Sequence, residues 1–140
     1  MLRNQHQTEQ LDVSELEKQL RGYSEPERIA ASYELAALTP SDPSALAVLR
    51  NILIGDAKSE DAQMEQALRD RHVELGLATR RAAMYGLISL GPRLATSTFL
   101  DAARSSSSDI RAYGAHGLGE AGDLHDARVI NAVAELLANE

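Results

Sequence analysis

Apolar residues recur along this chain at intervals of three and four, interrupted at short distances by proline, glycine and small polar residues. That is the pattern of short amphipathic helices joined by tight turns. After a polar, Gln-rich stretch over residues 1–10, Leu16 and Leu20 mark one face of a short helix from Val13 to Arg21. Asp12 and Ser14 are its candidate caps and Gly22 its stop. Ser24, Pro26 and Glu27 form a capping box with proline in the first turn, and open a helix through Ile29, Ala30, Tyr33, Ala36, Ala37 and Leu38 that stops before Pro40. Asp42-Pro43 opens the next, which carries Leu46, Leu49, Ile52 and Leu53 to Gly55. Residues 56–74 are highly charged, with a narrow stripe of Met64, Ala67, Leu68 and Leu75, and read as an extra amphipathic helix or a partly ordered insertion. An apolar helix from Leu77 to Leu90 is closed by Gly91-Pro92, and another follows over Leu94 to Arg104. Ser105–Ser108 is a turn whose last serine, or Asp109, caps a helix from Ile110 to Ala121. Gly122-Asp123 ends it, and Asp126 opens the last helix, with Val129, Ile130, Val133, Leu136 and Leu137 as its stripe.

These helices repeat. At one constant offset Arg80 falls on Arg111, Ala83 on Gly114, Gly86 on Gly117, Leu87 on Leu118 and Gly91 on Gly122. At a second offset Arg28 falls on Arg80, Tyr33 on Tyr85, Leu35 on Leu87 and Pro40 on Pro92; the difference between the two offsets is close to the length of segment 56–74. One insertion therefore reconciles three copies of a two-helix unit of about 30 residues, the mark of a stacked-repeat architecture. The run from Asp109 to Asp123 resembles the first helix of a HEAT-like repeat, in the short subtype found in phycobilisome lyases and in bacterial adaptor proteins. The likeness is good over 109–137, fair over 77–104 and weak over 12–55. The expected fold is all-α: an α-solenoid of about three stacked antiparallel helix pairs over residues 11–140, preceded by a flexible tail over 1–10.

Composition narrows the function. Aromatic residues make up 4% of the chain, there is no cysteine, and the formal charge is −7. Phosphate binding draws on Lys and Arg, and single-strand binding on stacking aromatics, so nucleic acid is disfavoured as a partner. Without cysteine there is no disulfide framework and no thiol nucleophile. No apolar run has the length of a membrane span or the pattern of a secretion signal, and the expectation is a soluble cytoplasmic protein.

The motifs that suggest chemistry have plainer structural readings. Gly117-Leu118-Gly119-Glu120-Ala121-Gly122 spells GxGxxG, yet a dinucleotide site needs a strand before it and a helix opening at it. Here the glycines fall at the end of a helix, where Gly114, Gly117 and Gly119 are expected to admit a close neighbour and Gly122 to cap. His116, Asp123, His125 and Asp126 lack metal-ligand spacing and read as surface or capping residues. Ser105–Ser108 has no histidine–carboxylate arrangement beside it. Arg28, Arg80 and Arg111 share one repeat position and are expected to bond acidic residues at neighbouring helix starts, although Asp109 has no acidic counterpart at Leu77 or Ala78. No cofactor and no metal are expected.

These readings favour a non-catalytic scaffold or adaptor whose partner is another protein. The resemblance implies that second helices line a concave binding face, which here carries Arg50, Asn51, Arg93, Thr96, Asp101, Arg128, Asn131 and Glu135. Two alternatives stay open: an accessory subunit of a bilin lyase or other chromophore-handling complex, and a capping fragment of a longer HEAT array. The sequence leaves monomer and homo-oligomer undecided.

Overall fold

The computed structural model describes residues 12–22, 24–55, 75–123 and 125–139. The N-terminal tail and the charged insertion therefore lie outside the described residues. Among those described there are seven helices and no strand: α1 Val13–Leu20, α2 Glu25–Leu38, α3 Pro43–Ile54, α4 Leu75–Leu90, α5 Pro92–Ala103, α6 Ser108–Ala121 and α7 Ala127–Asn139.

Local chemistry sets most of the boundaries. Asp12 caps α1 by accepting from the Glu15 amide at 2.8 Å, and Ser24 caps α2 through the Glu27 amide at 3.4 Å. Asp42 accepts from both the amide and the hydroxyl of Ser44, with Pro43 at the first helical position. Each cap satisfies amide groups that the first turn leaves without a partner. Pro92 begins α5 directly, ahead of the expected Leu94, and Gly91 between α4 and α5 is the expected stop, at φ 87°. Only glycine adopts that backbone without strain. Among the serines, Ser107 rather than Ser108 or Asp109 caps α6, accepting from the Ile110 amide.

The helices pack in two interleaved rows. α2, α4 and α6 touch in succession, as do α3, α5 and α7; α4 also packs against α3, and α6 against α5. The broadest contacts are α5 with α6 and α2 with α4. Leu35, Leu49, Ile52, Leu53, Leu87, Phe99 and Leu118 are buried between the rows, and Leu16 and Leu20 of α1 are buried beside α2. In α2 the inward face is Ala31, Ser32, Leu35 and Ala36, while Ala30, Tyr33 and Ala37 are exposed. That helix meets α4 through small residues: Ser32 donates to the Ala82 carbonyl at 2.5 Å, and Gly86 lies directly against Ser32.

Glycine serves the same purpose at the α5–α6 crossing. A Cβ on Gly114 would lie 2.5 Å from the Ala103 amide nitrogen and 2.9 Å from both the Ala102 carbonyl carbon and the Phe99 carbonyl oxygen. A Cβ on Gly117 would overlap the Phe99 ring, which is fully buried. The bare backbone of α6 thus admits α5 closely enough for dispersion contacts along the crossing.

The three register-matched arginines share a partner that the repeat did not imply. Each donates to a carbonyl just beyond the end of the preceding helix. Arg28 Nη1 reaches Gly22 O at 3.0 Å, after α1; Arg80 Nη2 reaches Gly55 O at 2.9 Å, after α3; Arg111 Nη1 reaches Ser105 O at 3.0 Å and Ser106 O at 3.1 Å, after α5. Helix C-termini present unpaired carbonyls at the negative end of the helix dipole, so a guanidinium fits there. Arg28 also lies 4.0 Å from Glu25, three residues earlier on its own helix. Burial lowers its pKa, and the Glu25 charge opposes that.

Candidate interaction surfaces

The residues expected to line a binding face come from α3, α5 and α7, which the packing places side by side. The geometry divides them. Arg50 and Asp101 form an ion pair between α3 and α5, and Arg50 Nη1 also reaches the Thr98 hydroxyl at 3.4 Å. Both partners remain partly exposed, so the pair ties two helices together while presenting charge to solvent. Arg93, Asn131 and Glu135 are exposed on α5 and α7. Asn51 is exposed next to the end of α3, where its side-chain oxygen lies against Gly55.

Thr96 is a correction. It is 5% exposed, and its hydroxyl donates to the Pro92 carbonyl one turn earlier at 2.6 Å. It belongs to the interior of α5, a helix with neighbours on most sides, and its polar atom is satisfied locally. Arg128 is exposed but engaged: its Nε and Nη2 hold Asp126, and Asp126 in turn caps α7 through the Arg128 amide at 2.8 Å. These bonds from Arg128 hold the Asp126 carboxyl below its ordinary pKa. Asp123 has a similar local role, accepting from the His125 amide at 2.9 Å, and His116 is exposed on α6. Among the described residues no cluster of three His, Asp or Glu side chains has metal-binding geometry. The GxGxxG run lies within the second half of α6 and its cap, with Gly119 facing open space and no strand before it.

Two surfaces escaped sequence reasoning. The row α2, α4, α6 carries Tyr33, Tyr85 and Tyr113 at partly or fully exposed positions, and Arg81 on α4 reaches across to Glu25 on α2 at 2.9 Å. Burial raises the Tyr113 phenol above its ordinary pKa, while the nearby charges of Arg81 and Arg80 oppose the shift. The register match of Tyr33 with Tyr85 was the available signal for this face. The second surface is on α7. Of its expected stripe, Val129 is buried with Ala132, and Val133 and Leu136 are partly buried, but Ile130 is 56% and Leu137 74% exposed. Among the described residues α7 touches α5 and α6, and these two helices cover one side of it.

No helix among the described residues is long and apolar enough to cross a membrane. Comparison with protein-family models, with curated proteins and with solved structures finds no match.

Proposed function

We propose that this chain is a small α-solenoid of HEAT-like helix pairs that acts as a non-catalytic protein-binding scaffold in the cytoplasm. The observation that carries the reading is the pairing of two contact rows, α2–α4–α6 and α3–α5–α7, with the three-fold recurrence of an arginine at the same place in each unit. Stacked units of this kind offer an extended side-chain surface rather than an enclosed pocket, which suits another macromolecule more than a small substrate. The α3–α5–α7 face supplies Arg93, Asn131, Glu135 and the exposed Arg50–Asp101 pair, a mixed polar set of the sort found at interface rims. The net charge of −7 disfavours nucleic acid as that macromolecule.

Site-specific photo-crosslinking tests the reading. A crosslinking residue is placed at Ser97 on the α3–α5–α7 face, at Tyr33 on the opposite row, or at neither, and the protein is exposed to extract of its source cells. Specific capture of one protein from Ser97 supports both function and face. Capture from Tyr33 alone moves the site to the tyrosine row. Absence of specific capture at both positions refutes the scaffold reading.

A further inference from the structure

We infer that the outward face of α2, α4 and α6 is a docking surface for a proline-rich, positively charged peptide in the polyproline II conformation. Tyr33, Tyr85 and His116 share one register position on the three helices, since the offsets that align Arg28, Arg80 and Arg111 also align them. Tyr33 and His116 are exposed, Tyr85 is half-buried, and the three helices touch in succession. The rings therefore stand as rungs, one on each helix. Tyr113, half-buried, lies one turn before His116 on the same side of α6. The residues one turn beyond the two tyrosine rungs, Ala37 and Ser89, are exposed and small.

The spacing suits an extended peptide. Packed helices lie about 8–10 Å apart. A polyproline II helix repeats every three residues, about 9 Å, so successive turns of such a peptide meet successive rungs. Proline rings dock on aromatic side chains, and a chain that is already extended loses little freedom on binding. Charge sets the sign of the partner. Asp109 and Glu120 lie four residues before and seven after Tyr113, which puts them on its side of α6. Both are exposed, and neither carboxylate has an ion-pair partner among the described residues. Lys or Arg at the α6 end of the peptide supplies the missing cations. The same carboxylates repel phosphates, which disfavours single-stranded nucleic acid, the other extended polymer that stacks on aromatic rungs.

This face is separate from α3–α5–α7, so failure of the proposal leaves the scaffold reading to its own crosslinking test. The chain has four tyrosines and no tryptophan, and three of the four are on this row, so intrinsic fluorescence reports on it. Titrating the full chain with a synthetic peptide of about eight prolines ending in a pair of arginines should change that fluorescence saturably, with a Kd between about 10 µM and 1 mM. Two-dimensional NMR of the labelled chain follows the same titration in variants. Tyr33→Ala should raise Kd about ten-fold, and Tyr33→Phe, which keeps the ring, should leave it within about two-fold. Glu120→Lys should raise it about five-fold at low salt, with the difference fading as salt is added. These variants alter exposed positions, and an unchanged helical circular dichroism spectrum verifies that each one folds. Absence of saturable binding overturns the proposal. So does a Kd that Tyr33→Ala leaves unchanged, or equal binding of a Gly/Ser peptide with the same arginines, which would indicate charge alone. Tighter binding of oligothymidine would overturn it in favour of nucleic acid.

Discussion

Three alanine substitutions on one helix should separate the packing role of the glycines from any ligand role. Gly114, Gly117 and Gly119 all lie within α6. Helix propensity alone would make each Gly→Ala change stabilising by about 1 kcal/mol. Gly119 has no atom within 4 Å of where a Cβ would sit, so it should realise that gain. At Gly114 the new methyl would stand 2.5–2.9 Å from three backbone atoms of α5. Relaxed contacts between such atoms need about 3.5 Å or more, so α5 would have to withdraw by close to 1 Å. Overpacking of this kind costs about 1–3 kcal/mol, enough to cancel the propensity gain and exceed it. At Gly117 the obstacle is the buried Phe99 ring, a side chain rather than backbone. The expected order of stability is Gly119→Ala above the parent, then Gly117→Ala, then Gly114→Ala, because a backbone can rotate away less readily than a ring. Urea denaturation followed by circular dichroism resolves differences of this size. Phe99→Leu should cost less in the Gly117→Ala background than in the parent, since the two changes share one contact. If Gly114→Ala and Gly117→Ala matched or exceeded the parent, the close-crossing account of these glycines would be wrong. Saturable binding of NAD or ATP in the micromolar range by the unmutated protein would reopen the nucleotide reading of the motif.

Gly91→Ala should destabilise by about 1–3 kcal/mol although nothing lies within 4 Å of its Cβ position, because φ is 87°; a thermal melt equal to that of the parent would refute the backbone argument. Ser32→Ala removes a buried hydroxyl that donates to Ala82 O and should cost about 1 kcal/mol in urea, whereas a gain would show that the α2–α4 crossing is relieved by the smaller side chain. Asp126→Asn keeps the cap but removes the charge. Because the folded carboxyl titrates below its unfolded value, its contribution is present above pH ~4 and is lost as pH falls through the lower folded value. The melting temperature of the parent should therefore drop more steeply than that of Asp126→Asn in acid, and parallel curves down to about pH 2 would count against the Arg128 bond.

The parts of this fold legible in the sequence were those decided within a few residues. Asp42-Pro43, Ser24 with Glu27, and Asp126 each act on amides two or three positions away, so their spacing alone identified the helix starts. The four serines from Ser105 to Ser108 were ambiguous for the same reason: more than one can reach an amide in that turn, and the packing of α6 on α5 determines which one does. Faces were harder. Thr96 was read as a surface residue because it is polar, yet α5 has neighbours on most sides and Thr96 bonds its own helix. Ile130 and Leu137 were read as part of one apolar stripe with Val129 and Val133, yet among the described residues α7 is packed by α5 and α6 on a narrower arc than that stripe spans. The arginine register was visible as a repeat, but its partners are backbone carbonyls, and these leave no trace in side-chain identity. Tyr33 and Tyr85 were matched as repeat positions and not read as a surface, since their exposure depends on how the two rows interleave.

The bond from Arg80 to the Gly55 carbonyl has a consequence for how this chain can tolerate change. It joins the end of α3 to the first turns of α4, and so the entry and exit points of the intervening stretch are held together by groups outside that stretch. Lengthening a closed loop by a factor of two adds only about 0.6 kcal/mol of closure entropy when its ends are already anchored. The junction is therefore a natural place for genetic expansion: a tag, a fluorescent reporter or a whole foreign domain whose termini lie close together could be spliced there. The helices on either side would keep their register, and Arg80→Ala would make the host measurably less permissive to the same cargo.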